Sequence, residues 1–175
     1  MRTLKYVLAV LFTLAFCFAI VTHVVLWYKF RVGCEDYLKL AGDAPTIERA
    51  TEFLGKAVNY LEEKRLTSGN SAFFFPIPRK DVGIWYSQLK SAYEVEKNLV
   101  EQAKVNPDSV PQLTRDNALM KIREVVLDEG SNGTIVTAPA NIVVFPYQRV
   151  FLFWYLLSFI FALVFWFVAV FSESY

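Results

Sequence analysis

His23 is the only histidine in the 175 residues, and it lies inside an apolar run, Tyr6 to Tyr28, that carries no other ionisable charge. One imidazole permits few chemistries. A multi-histidine metal site, or a Ser–His or Cys–His pair in an aqueous domain, cannot be assembled from one such chain. Three roles remain: ligation of a haem or chlorophyll inside a membrane, pairing with the same residue of a second copy, or helix packing. Packing is the reading adopted. Ala9, Thr13, Ala19 and His23 share one helical stripe with Phe16 and Ile20, and Tyr155, Ser158, Ala162 and Ala169 form a similar stripe in a second apolar run. Small residues let helices approach closely. In an antiparallel pair His23 and Tyr155 reach the same depth, so His23 is expected to pack toward Tyr155 or Ser158 and to hydrogen-bond there or to interfacial water.

The remaining reactive residues point away from catalysis. Glu62–Glu63 and Asp128–Glu129 are adjacent in sequence, and neighbours at that spacing do not face each other on a helix. "DEGSNG", Asp128 to Gly133, starts like a calcium loop, but Gly130 stands at the second ligand position and Pro139 at that of the bidentate glutamate. A helix end followed by an Asn-Gly turn accounts for it, and the Asn132-Gly133-Thr134 sequon matters only in a eukaryotic secretory setting. Cys17 and Cys34 show neither disulfide-framework nor metal spacing; Cys34 is expected to be a buried, inert thiol. No glycine-rich phosphate loop is present. The expectation is a protein that is not an enzyme and has no cofactor and no metal.

The elements behind these residues are set by two apolar runs, 6–28 and 150–171, in a chain that is 55% hydrophobic. About 20 apolar residues suffice for a helix to cross a hydrocarbon layer of roughly 30 Å. Trp27 and Tyr28, and then Trp154 and Tyr155, stand near the ends facing the middle segment, where amphipathic rings favour the headgroup level. The first run is too long for a removable signal peptide, so it reads as an uncleaved anchor. A signal-anchor start places both termini in the cytoplasm and residues 29–149 on the non-cytoplasmic side. That segment has 16 Lys/Arg and 16 Asp/Glu, which gives no electrostatic reason to bind nucleic acid.

Within 29–149 the pattern is helical. The first helix is expected to project past the membrane to Gly42. A second begins after Asp43 or Thr46, with Ile47, Ala50, Leu54, Ala57, Val58 and Leu61 on one face. A third runs from Asp81 to about Lys104 on a stripe of Val82, Trp85, Leu89, Ala92, Tyr93, Leu99 and Val100. A fourth carries Leu119, Ile122, Val125 and Val126 and ends before Gly130. "SNGTIVTAPANIVVFP" reads as two short extended segments or a hairpin leading into the second span. The fold class is therefore an all-α membrane protein: two transmembrane helices flank an extramembrane helical bundle with a short β-like segment, and a tail, 172–175, completes the chain.

"LTSGNSAFFFPIPRKDVGIWYSQLK", Leu66 to Lys90, interrupts that pattern. Gly69 can end a helix in a left-handed conformation, Pro76 and Pro78 force an extended path, and Asp81 can cap the third helix of the segment. Phe73, Phe74 and Phe75 are expected to plug the core beneath the helical hairpin; docking on a membrane surface or a partner, together with Trp85 and Tyr86, is the alternative. The wider block Tyr60 to Ala92, through Leu66, Thr67, Ser68, Gly69, Asp81, Val82, Gly83, Trp85, Tyr86, Leu89 and Lys90, resembles one in small, largely cyanobacterial, two-span membrane proteins, and "TAPANIVVFP" is similar to the same group. The resemblance implies the two-span architecture and no activity.

The functional expectation is an accessory, assembly or stabilising subunit of a larger membrane complex, since ten of the 22 residues from Val150 to Phe171 are aromatic. Its partners would be the lipid bilayer and other membrane proteins, or further copies of itself. A sensor, or an apolar-ligand-binding module lined by Trp85, Tyr93 and Phe73–Phe75, acting through a separate partner, is the alternative.

Overall fold

The computed structural model describes residues 2–130 and 133–171. The Asn-Gly turn, the sequon's Asn132 and the tail 172–175 lie outside them. The chain divides into two compact units, Met1–Trp27 with Val143–Tyr175, and Tyr28–Ile142. Two helices, Thr3–Gly42 and Gln148–Phe171, are long and apolar enough to cross a membrane.

The first unit is an antiparallel helix pair built from α1 (Arg2–Phe30) and α6 (Gln148–Phe171). Its seam is made of small residues, with Ala9, Ala19, Ser158 and Ala169 buried. Phe12 stacks between Phe161 and Phe165, with centroids 5.0 and 5.6 Å away, and Phe16 meets Phe159 at 5.5 Å. Polar tips cross the seam: Trp154 Nε1 donates to the Ala15 carbonyl (3.2 Å), Tyr155 Oη to that of Ala19 (3.0 Å), and Trp166 Nε1 to Thr13 Oγ1 (3.1 Å). Small residues bring the backbones close enough for these bonds to form.

The second unit is a cluster of four helices. α1 passes through a π-helical turn, Arg31–Glu35, into α2 (Asp36–Gly42). α3 (Ile47–Glu63), α4 (Val82–Val105) and α5 (Gln112–Val126) come next in the chain, and α2 packs on α3 and α5, α3 on α4, and α4 on α5. Thr46, not Asp43, caps α3: its Oγ1 accepts from Arg49 N. The expected apolar face of α3 is wholly buried. At the π turn Gly33 lies under the Tyr60 ring, and a Cβ there would stand 2.3 Å from Tyr60 Cε2, so only glycine fits. Phe30 meets the same ring edge-on at 6.2 Å.

Three expectations need correction. α3 does not end at Gly69. Arg65 takes the left-handed conformation (φ 57°), with Leu66 N bonded to the Leu61 carbonyl and Arg65 N to that of Glu62. Leu61 and Leu66 are both buried, completing a Schellman end whose apolar contact supports a non-glycine left-handed residue. Gly69, at φ 102°, serves the loop beyond it. The hairpin also starts earlier than expected: β1 (Leu127–Gly130) pairs antiparallel with β2 (Gly133–Val136), Leu127 opposite Val136, so Gly130 is in a strand and not a helix stop. Thr137 closes the α5 end, its N and Oγ1 donating to the Val126 and Val125 carbonyls. Finally, Tyr93 and Leu99 are only half-buried, and the stripe of α4 runs Val82, Trp85, Leu89, Ala92, Glu96, Val100.

Candidate functional site

The segment between α3 and α4 is a loop closed by the Asn70 side chain and by backbone bonds at its base. Asn70 Nδ2 donates to the Ile77 carbonyl at 2.9 Å, while Asn70 Oδ1 accepts from Ala72 N at 3.1 Å and Ile77 N at 3.5 Å. Asn70 also bridges to Asp81 as an isolated antiparallel pair, with Val82 N bonded to the Gly69 carbonyl and Ser71 N to that of Lys80. The six residues between Asn70 and Ile77 are thereby pinned at both ends, and Pro76 and Pro78 stiffen the return path. Asp81 then caps α4, Oδ1 accepting from Ile84 N at 2.9 Å.

This clamp overturns the core-plug expectation. Phe74 is 66% exposed and Phe75 82% exposed, with Ile77 exposed beside them; only Phe73 is half-buried. The loop is too short to fold its own tip back under α3 and α4 while Asn70 holds its base together. Arg79 and Lys80 come after the apolar tip in a short 3-10 turn, Pro78–Lys80.

Trp85 and Tyr86, one turn into α4, do not join the tip. Trp85 is buried, and its Nε1 has no hydrogen-bond partner among the described residues. It walls a groove of about 630 Å³ with Asp81, Gln88, Lys121, Glu124 and Thr137, to which neither Tyr93 nor Phe73–Phe75 contributes. Tyr86 Oη donates to Glu62 Oε1 at 2.6 Å, and Lys90 Nζ donates to the same oxygen at 2.8 Å. The Lys90 bond first, and the Tyr86 bond second, hold the Glu62 carboxyl below its ordinary range. This cluster ties α3 to α4 beside the loop.

Between the apolar helices, His23 is half-buried, with its ring 6.1 Å from that of Tyr155. The Tyr155 hydroxyl goes to Ala19 and not to His23, and Ser158 Oγ bonds back to the Trp154 and Tyr155 carbonyls of its own helix. Among the described residues no group of three or more His, Cys, Asp or Glu is placed to hold a metal ion.

Sequence reasoning missed two residues. Asn70 carried no signal beyond a turn-forming residue before an aromatic run. Glu96 is 1% exposed within the α4 stripe, and its Oε2 has no hydrogen-bond partner among the described residues. It lines a groove of about 480 Å³ with Gln88, Ser91, Val95, Lys121 and Val125. Burial pushes its carboxyl up, and Lys121 partly opposes the shift. Its spacing of four residues from both Ala92 and Val100 was the available signal.

Comparison with family models, curated proteins and solved structures gives no match for this chain.

Proposed function

We propose that the chain is an integral membrane protein with two spans, α1 and α6, and a non-catalytic role as an accessory, assembly or stabilising subunit of a larger membrane complex. Both termini would lie in the cytoplasm and Tyr28–Ile142 on the other side. The observation that carries this reading is the face of α6 that α1 leaves uncovered. Phe153, Ile160, Val164, Phe167 and Phe171 are exposed at spacings of seven, four, three and four, which aligns them in one stripe. The Phe167 and Phe171 rings stack on each other at 4.2 Å. Three of the five, Phe153, Phe167 and Phe171, are flat, stiff rings that offer a neighbouring helix a broad contact surface.

The test is gentle-detergent purification of the tagged chain from its native membrane, with mass spectrometry of the proteins that co-purify. A stoichiometric set of subunits, lost when Phe153 and Phe167 are both replaced by serine, supports the reading. A chain recovered alone or only with itself would overturn it.

A further inference from the structure

Three features converge on one end of the Tyr28–Ile142 unit. Phe30, the last residue of α1, packs on Tyr60, and Gly33 lies under the same ring; Tyr60 is one turn before the end of α3, from which the aromatic loop departs. Ser71, at the base of the loop, donates from Oγ to the Ala140 carbonyl at 2.7 Å, and Asn141 Nδ2 donates to the Ser71 carbonyl at 3.4 Å. Ala140 and Asn141 are the last residues but one or two of this unit. Both chain connections to the apolar helices therefore leave the unit beside the loop.

The loop's chemistry is divided in two. Its tip, Phe74-Phe75-Pro76-Ile77, is exposed and apolar, and the next residues include Arg79 and Lys80. Among the described residues neither cation has an ion-pair partner, and the nearest carboxylate in sequence, Asp81, is engaged in capping α4. We infer that the Phe74–Ile77 tip and the Arg79–Lys80 pair dock on the anionic headgroup surface of the bilayer that anchors the chain. The rings enter the apolar side of the headgroup layer while the two cations meet lipid phosphates. Because Asn70 and the two prolines fix the loop beforehand, little ordering entropy is spent on contact. A cation at an anionic surface favours the docked state by about fivefold, so the pair gives roughly thirtyfold. The inference rests on the two-span reading but not on the accessory assignment.

The experiment places the photoreactive residue p-benzoylphenylalanine at position 75 of the full chain, and separately at exposed Leu113 on α5, in the native membrane. Leu113 comes after the end of α4 opposite the loop. After irradiation the chain is purified and its intact mass measured. A phospholipid adduct at 75 and not at 113 is expected. In nanodiscs it should fall several-fold when phosphatidylcholine alone replaces a mixture with phosphatidylglycerol, or when Arg79 and Lys80 are both replaced by serine. An adduct with another protein, equal lipid labelling at both positions, or no adduct at 75 overturns the inference. A chain found outside the membrane fraction overturns the two-span reading as well, and loss of co-purifying subunits alone leaves lipid docking standing.

Discussion

Glu96 should make the Tyr28–Ile142 unit less stable as pH rises, and Glu96→Gln should remove that dependence. The carboxyl is buried between α4 and α5, and one of its oxygens has no hydrogen-bond partner among the described residues. Its proton affinity in the folded chain is raised above the ordinary value of 4.5 by burial, with Lys121 opposing. The folded state therefore holds this proton more tightly than the unfolded state does. Stability is fully present below pH about 4.5, declines as pH rises toward the folded value, and then stays at its lower level. An unpartnered buried polar group costs about 1–3 kcal/mol. The lower half of that range applies here, because Glu96 borders a groove and a lysine stands near it.

A gain of about 1–2 kcal/mol corresponds to roughly a five- to thirtyfold smaller unfolded fraction. Cys34, fully buried in the same unit, provides the assay. With Cys17 replaced by alanine, the rate at which Cys34 reacts with a maleimide in moderate urea reports the open population. At pH 8 the Gln variant should label about five- to thirtyfold more slowly than the parent, and near pH 4.5 the two should be equal, each pair being compared at one pH so that thiol ionisation cancels. Parallel profiles for the two chains, or faster labelling of the variant at pH 8, would refute the reasoning by showing that Lys121 compensates the charge in full.

Local geometry sets two further outcomes. Gly33→Ala puts a methyl group into the Tyr60 ring and should cost about 1–3 kcal/mol, seen as faster Cys34 labelling that Tyr60→Leu partly restores. Asn70→Ala removes the bonds that close the loop, each worth about 1 kcal/mol, so amide exchange at Ala72 and Ile77 should rise at least tenfold while that of Leu89 and Val100 is unchanged.

The helices were legible because their residues report burial through period alone. The α3 face from Ile47 to Leu61 and the two apolar runs could be read without knowing what covers them. The loop could not. Three consecutive phenylalanines have the same hydrophobicity whether they plug a core or leave it, and the choice was made by Asn70, whose bonds to Ile77 fix the length available to the tip. The end of α3 was misplaced for a related reason. Gly69 has the intrinsic freedom for a left-handed residue, but the contact between Leu61 and Leu66 selected Arg65. Glu96 was passed over because a charged residue at a stripe position is ordinarily solvated, and only the approach of α5 covers it.

Docking of the clamped loop, as inferred above, would have a mechanical effect. A unit tied to a bilayer by two chain connections can rock about the line that joins them. A third attachment would restrain that motion. Asp81 belongs both to the loop, through its bridge to Asn70, and to α4, which it caps, so a docked loop fixes that helix directly. The Glu62–Tyr86–Lys90 bonds extend that rigidity to α3. A flexible aromatic loop would bind lipid without orienting anything. On the accessory-subunit reading proposed above, the extra bonds at Asn70 would fix the direction of α3 and α4, as a subunit presenting a fixed surface to a larger assembly requires.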